Sequence, residues 1–209
     1  MGRVNDFLGI IAGYWFIEFH LLMSTSRPWP YWRNLILFFL IVLVGGLLTA
    51  YLVTGYRGAQ FYLRPTRAHR APGDTPARFG VSYQAVTLTT EDGLSLAAWY
   101  TPPENGALIL VAHGYGAARS PEMHAFFARH GYGVLSWDAR AHGESEGEIS
   151  TWGVRELRDV QAAIEFVQRQ EGVSRLGAYG QSMGGATLIQ AAASFLEIEV
   201  LVADRKSVV

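Results

Sequence analysis

The chemistry-bearing feature of this chain is a serine set among glycines. Gly180-Gln181-Ser182-Met183-Gly184-Gly185 lies between RLGAYG, which reads as a short strand, and MGGATLIQAAASFL, which reads as a helix. A G-x-S-x-G run in that setting holds its serine on a sharp, strained strand-to-helix turn. Gly180 and Gly184 let such a turn close without Cβ clashes. The hydroxyl then projects from the sheet edge. The helix opening at Met183 aims free N–H groups and a positive dipole end at the spot where an oxyanion would form. This is the equipment for acyl transfer through a serine nucleophile. Upstream, His113-Gly114-Tyr115-Gly116 directly follows the apolar strand ALILVA. A loop leaving a strand there turns its own N–H groups toward the same site. The candidate catalytic residue is therefore Ser182, and the candidate oxyanion donors are the amides of Tyr115 and Met183. His113, Gly114, Gly116, Gly180, Gly184 and Gly185 support the two motifs, with His113 read as a structural histidine bonding loop backbone.

The elements that must position these residues follow from the apolar patterning. VSYQAVTLTT and LSLAAWYT are β-prone runs split by the turn signal Glu91-Asp92-Gly93, which predicts an antiparallel hairpin. ALILVAHG and GVLSWDARAHG are buried-looking strands on either side of a helix-compatible stretch from Pro121 to Arg129. Between Val154 and Gln170, apolar residues recur at Val154, Leu157, Val160, Ile164 and Val167, a helical spacing. Arg155, Glu156, Arg158, Asp159 and Glu165 fall mostly elsewhere on the wheel. With RLGAYG, the helix after Ser182 and a last strand EVLVAD, the alternation predicts an α/β fold: a mostly parallel sheet with an N-terminal antiparallel hairpin, covered by helices.

Ahead of this domain stands a membrane anchor. Leu35 to Val53 is a charge-free apolar run, about 28 Å long as a helix and so matched to a bilayer core. Trp29, Tyr31, Trp32 and Arg33 flank one end, and Tyr51, Tyr56 and Arg57 the other, as suits headgroup regions. A second apolar stretch, residues 7–23, carries Glu18 and His20, so it either spans as well or lies in the interface. One or two transmembrane helices are thus expected within residues 1–57, a Pro-, Gly- and Arg-rich linker over 58–80, and the N-terminal portion of the α/β domain over 81–209. Arg57, Arg64, Arg67 and Arg70 follow the span, whereas Arg27 and Arg33 precede it, which places the domain on the cytoplasmic side. The chain has 209 residues, a formal net charge of −1 and 17% charged residues, which leaves no electrostatic footprint for nucleic acid. It has no cysteine, hence no disulfide, thiol nucleophile or thiolate metal site. No cofactor and no metal are expected.

HGYG, then DARAHGESEG at Asp138 to Gly147, then GQSMGG together resemble α/β-hydrolases of the serine-aminopeptidase-like, acylglycerol-lipase-like group, in a branch with an N-terminal transmembrane helix. The resemblance covers Val81 to Asp204. It implies a serine hydrolase of ester, thioester or amide bonds acting on a small-molecule or acylated substrate. Asp138, Arg140, His142 and Ser145 would organise the loop after the fourth strand, with Ala141 where the group usually has glycine. In this fold the acid and then the histidine follow the serine in the chain. Here all six histidines, at 20, 69, 113, 124, 130 and 142, precede Ser182. Asp204 is expected to serve its loop rather than to act as the acid. The terminal Arg205-Lys206-Ser207-Val208-Val209 departs from the family pattern, so the chain reads as an incomplete hydrolase core, C-terminally truncated and nearly inactive as it stands. The alternative is a catalytically silent membrane-bound scaffold that keeps the hydrolase fold for binding.

Overall fold

The computed structural model describes residues 29–204. The apolar stretch 7–23 and the tail 205–209 lie outside the described residues. Two compact units divide between Tyr56 and Arg57.

Helix α1 (Trp29–Leu63) forms the described part of the first unit up to Tyr56, and its last residues, from Arg57 to Leu63, belong to the second. Among the described residues, this one helix is long and apolar enough to cross a membrane, with mean hydropathy 2.7. Its apolar side chains, from Ile36 to Val53, are exposed. The Thr49 and Thr54 hydroxyls donate to the carbonyls of Gly45 and Ala50, so their polarity is satisfied inside the helix.

The second unit is built on a six-stranded sheet in the order β1-β2-β4-β3-β5-β6. Strands β1 (Gln84–Thr89) and β2 (Ser95–Thr101) form the expected hairpin, paired from Gln84↔Tyr100 to Thr89↔Ser95. The Thr90 hydroxyl fixes its turn by accepting from the Leu94 amide and donating to Asp92. β2 runs antiparallel to β4 (Gly133–Trp137), which is buried along its whole length. β3 (Ala107–Ala112), β5 (Arg175–Gln181) and β6 (Ile198–Asp204) are parallel to β4 and to one another. The near-continuous apolar sequences of β3 and β4 follow from cover on both faces. The crossovers are α2 (Pro121–Ala128), α3 (Glu156–Gln168) and α4 (Met183–Ser194). The Ser120 side chain caps α2 by accepting from the Met123 amide, with Pro121 at the first helical position. Val160, Ile164 and Val167 of α3 join Leu108, Leu110, Leu135 and Leu176 in the core. On α3 the helical wheel misplaces two residues: Glu156 and Asp159, expected on the polar face, are each 1% exposed. Their partners, described below, lie in loops that sequence periodicity does not register.

A second layer of order is ionic. Asp138, at the end of β4, is fully buried and accepts from the amides of Arg119 and Glu144 and from the Arg70 and Arg119 guanidinium groups. Both guanidinium groups also lie over the Trp99 ring, at 4.7 and 4.4 Å. Burial by itself would raise the Asp138 carboxyl. The Arg70 hydrogen bond, the Arg119 charge and the two backbone donors outweigh it and hold the group below the ordinary carboxylate range. Asp138→Asn leaves the two largely buried cations with Glu144 as their remaining carboxylate partner and is expected to cost about 3 kcal/mol. A shift of the urea midpoint well below that of the wild type checks this; an unchanged midpoint contradicts it.

Candidate active site

Ser182 follows the last residue of β5 and precedes the first of α4, with φ 51° and ψ −114°. Among the described non-glycine residues, three have positive φ: Ala141, Trp152 and Ser182. Such a conformation costs on the order of 1–3 kcal/mol and persists only where the surroundings over-determine it. Here backbone presses on backbone. A Cβ on Gly180 would stand 2.6 Å from the Gly184 carbonyl and the Gly185 nitrogen, and one on Gly184 would stand 2.5 Å from the Ala112 oxygen. The Ser182 amide donates to the Asp204 carbonyl at the end of β6 (2.9 Å), and the Ser182 carbonyl accepts from Ala186 within α4. The serine is therefore held from both sides.

The His113–Gly116 loop passes directly over it. A Cβ built on Gly114 would lie 3.4 Å from the Ser182 Cβ. Gly116 turns the loop in the left-handed region at φ 71°, and the Ala117 amide closes the turn on the Gly114 carbonyl. Met183, the first residue of α4, is buried, and its amide belongs to the helix turn that has no intrahelical acceptor. The structure thus brings His113, Gly114, Tyr115, Gly116, Gly180, Ser182, Met183, Gly184 and Gly185 into one neighbourhood.

His113 spans two loops. Its Nε2 accepts from the Ala139 amide (2.9 Å) and its Nδ1 contacts the Gly114 carbonyl (2.7 Å), which fixes a neutral ring with the proton on Nδ1. Burial pushes its pKa down to about 4. His124, between the hydroxyls of Thr101 and Ser136, is lowered to about 4 by burial and by the charge of Arg119. His142 contacts the Arg140 carbonyl through Nδ1, and its buried Nε2 has no hydrogen-bond partner among the described residues. Among the described residues no histidine hydrogen-bonds Ser182.

An open cavity of about 380 Å³ adjoins the serine, lined by Trp152, Ser182, Met183, Ala186, Ile189 and Asp204 among others. The Asp204 Oδ2 accepts from the Tyr179 hydroxyl (3.0 Å). Arg140 pairs with Asp159 and Asp92, and Ser145 donates to the Asp138 carbonyl while accepting from the Ala97 amide, so these residues knit the loop after β4 to the hairpin and α3. Among the described residues no cluster of His, Cys, Asp or Glu has the arrangement of a metal site.

Two residues of the site escape sequence reasoning. Trp152, at φ 56°, forms one wall of the cavity and stacks on Tyr115 with ring centroids 4.4 Å apart. Its strained loop is held by Glu156, whose carboxylate accepts from the amides of Thr151 and Gly153 and the hydroxyls of Ser150 and Thr151. Burial would raise the Glu156 carboxyl, but these donors hold it below its ordinary value. The one available signal was an acidic residue in the first turn of a predicted helix, which also fits an exposed helix start.

The histidines set a pH dependence. His113 and His124 are held neutral in the fold, with pKa values below the unfolded value near 6.5. Their favourable contribution is therefore complete above pH 6.5 and is lost as pH falls from there toward 4. Where both titrate, the slope approaches about 2.7 kcal/mol per pH unit. Urea midpoints measured across this range are expected to fall steadily with acid, and a flat profile contradicts the assignment.

Residues 103–200 match the family model described as serine aminopeptidase, S33. An esterase of Pyrococcus furiosus superposes with a TM-score of 0.64 at 30% identity, covering 68% of this chain and 57% of that one. A thiohydrolase of Aspergillus aculeatus is 34% identical over 121 residues, 53% of this chain and 37% of its own length. An uncharacterised membrane protein of Saccharomyces cerevisiae is 30% identical over 132 residues, 60% of this chain and 45% of its own length. The chain thus spans less than half the length of each of these two curated relatives.

Proposed function

Because the domain built on this sheet belongs to the α/β-hydrolase superfamily, in its serine-aminopeptidase-like group, we propose that the chain carries the nucleophile and oxyanion site of a membrane-anchored serine hydrolase. In this reading Ser182 Oγ attacks the carbonyl of an ester, thioester or amide. The amides of Tyr115 and Met183 receive the oxygen as it becomes negative, and collapse of the tetrahedral intermediate expels the leaving group and leaves an acyl-serine for water to cleave. The observation that carries the reading is the serine's strained position at the β5–α4 junction with the Gly114 backbone crossing it. A structural turn has no use for that arrangement, since glycine at position 182 would adopt the same φ without strain.

The His113 and His124 rings are committed to loop backbone or hydroxyl groups, and His142, bonded through Nδ1 to the Arg140 carbonyl, makes no hydrogen bond to Ser182, so the base that moves the Ser182 proton is assigned to none of them. Without general-base assistance, worth around 10²–10⁴-fold, residues 1–209 alone are expected to react slowly. The cavity's lining of Trp152, Met183, Ala186 and Ile189 favours an apolar acyl group. Helix α1 is proposed to anchor the chain in a membrane. The excess of arginines after the span favours a cytoplasmic side for the domain. Lipids or acylated proteins are accordingly the substrates in view.

The test is a fluorophosphonate probe, with p-nitrophenyl esters of graded chain length, on the chain at its full natural length. Labelling and turnover are expected, with Ser182→Ala abolishing the label and lowering turnover by about 10⁴–10⁶-fold. A wild-type protein that neither labels nor turns over ester contradicts the hydrolase reading and favours a silent scaffold.

A further inference from the structure

The last carbonyls of an α-helix lack intrahelical donors and must find partners elsewhere. At the end of α1 nearly all of those partners come from the active site. The Tyr115 hydroxyl donates to the carbonyls of Tyr62 (2.8 Å) and Phe61 (3.3 Å), the Trp152 indole N–H to Tyr62 (3.2 Å), and the Ser150 amide to Leu63 (2.7 Å). The remaining carbonyl, that of Gln60, accepts from the Arg64 amide. Tyr115 follows Gly114, whose backbone lies against Ser182, and supplies an oxyanion amide in the reading proposed above; Trp152 walls the Ser182 cavity. The two rings lie nearly parallel, 15° apart, with the helix end bonded to both. The same short loop touches the nucleophile's helix, since the Ser150 hydroxyl also contacts the Met183 sulfur (3.3 Å).

From this arrangement we propose that Tyr115 and Trp152 are positioning residues that latch the oxyanion loop and the cavity wall to the last turn of α1, so that the helix end is a working part of the active site. The proposal rests on the Ser182 reading for its catalytic consequence, and on the hydrogen bonds alone for its structural one. Each loop is braced from within the domain, the first by His113 and the second by Glu156, and the latch adds the tie of both to the helix end. The oxyanion loop turns on two glycines, Gly114 and Gly116, and the Ser150–Gly153 loop carries a tryptophan and a glycine at positive φ. Capping the helix supplies a partner that neither loop provides for itself. A disturbance of the helix end therefore reaches the oxyanion amide through the Tyr115 ring, a single side chain.

Tyr115→Phe removes the hydroxyl and keeps the ring; Trp152→Phe removes the indole N–H and keeps an aromatic wall. Hydrogen exchange in either variant is expected to quicken at residues 114–117 and 150–153 by roughly tenfold, the worth of about one hydrogen bond, with β3 and β5 unchanged. Fluorophosphonate labelling of Ser182 in Tyr115→Phe is expected to lose a similar factor in its maximal rate, with the half-saturating probe concentration unchanged. Exchange that stays at the wild-type rate, or that rises throughout the domain, overturns the latch. Local loosening with an unaltered labelling rate, or a loss expressed only in half-saturation, overturns the positioning role. A wild-type protein that does not label at all sinks the Ser182 reading and the catalytic role of the latch with it, while the exchange data still decide whether the helix end is held this way.

Discussion

The proposed chemistry depends on a contact between two stretches of main chain. Where β5 gives way to α4, the backbone at Gly180 meets that at Gly184 and Gly185, and Gly184 in turn abuts the carbonyl of Ala112 at the end of β3. No side chain fits in these gaps. The close approach forces the residue between strand and helix into a left-handed conformation, and that residue is Ser182. Strain at the serine, exposure of its hydroxyl and the aim of the α4 amides are thus three results of one packing constraint.

Around that turn the fold spends its buried charges on loops. Asp138, Glu156 and Asp159 are almost wholly out of solvent, and each collects several donors from segments with no regular structure of their own. Asp138 fixes the start of the loop after β4, Asp159 holds Arg140 within it, and Glu156 fixes the loop that brings Trp152 to the cavity. A carboxylate with three or four donors is a stiff joint, because losing any donor leaves buried charge short of a partner. His113 plays the neutral counterpart, joining the loop over Ser182 to the loop after β4. The hairpin, the loop after β4 and the loop over Ser182 are thus hydrogen-bonded to one another, although they are far apart in sequence.

Much of this was legible in the residues, and the reasons divide cleanly. The GQSMGG turn and the HGYG loop could be read because close backbone approach demands glycine, and glycine at fixed spacing survives in a sequence as a visible mark. The strands and helices could be read because cover on one or two faces imposes a period on apolar residues. The charge-free run from Leu35 to Val53 announced a long apolar helix for the same reason, although α1 continues to Leu63 because nothing between Val53 and Leu63 terminates a helix. What escaped were contacts made across long sequence separations by residues of ordinary type. Glu156 and Asp159 looked like a solvated helix face, Arg67 and Arg70 like a basic linker, and Trp152 like any exposed aromatic. In the structure Arg67 donates to the carbonyls of Gly143, Ser145 and Gly147, and Arg70 reaches Asp138. No local pattern encodes such pairings, since a surface arginine and a loop-bracing arginine have identical neighbours in the chain.

The central claim, that Ser182 sits where an anionic oxygen would meet the amides of Tyr115 and Met183, is tested most directly by a structure of the protein phosphonylated in solution. The account predicts phosphorus bonded to Ser182 Oγ and one phosphonyl oxygen at about 2.7–3.1 Å from both amide nitrogens, the spacing of a working oxyanion site. A phosphonyl oxygen turned to solvent, or an adduct at any other residue, would contradict it.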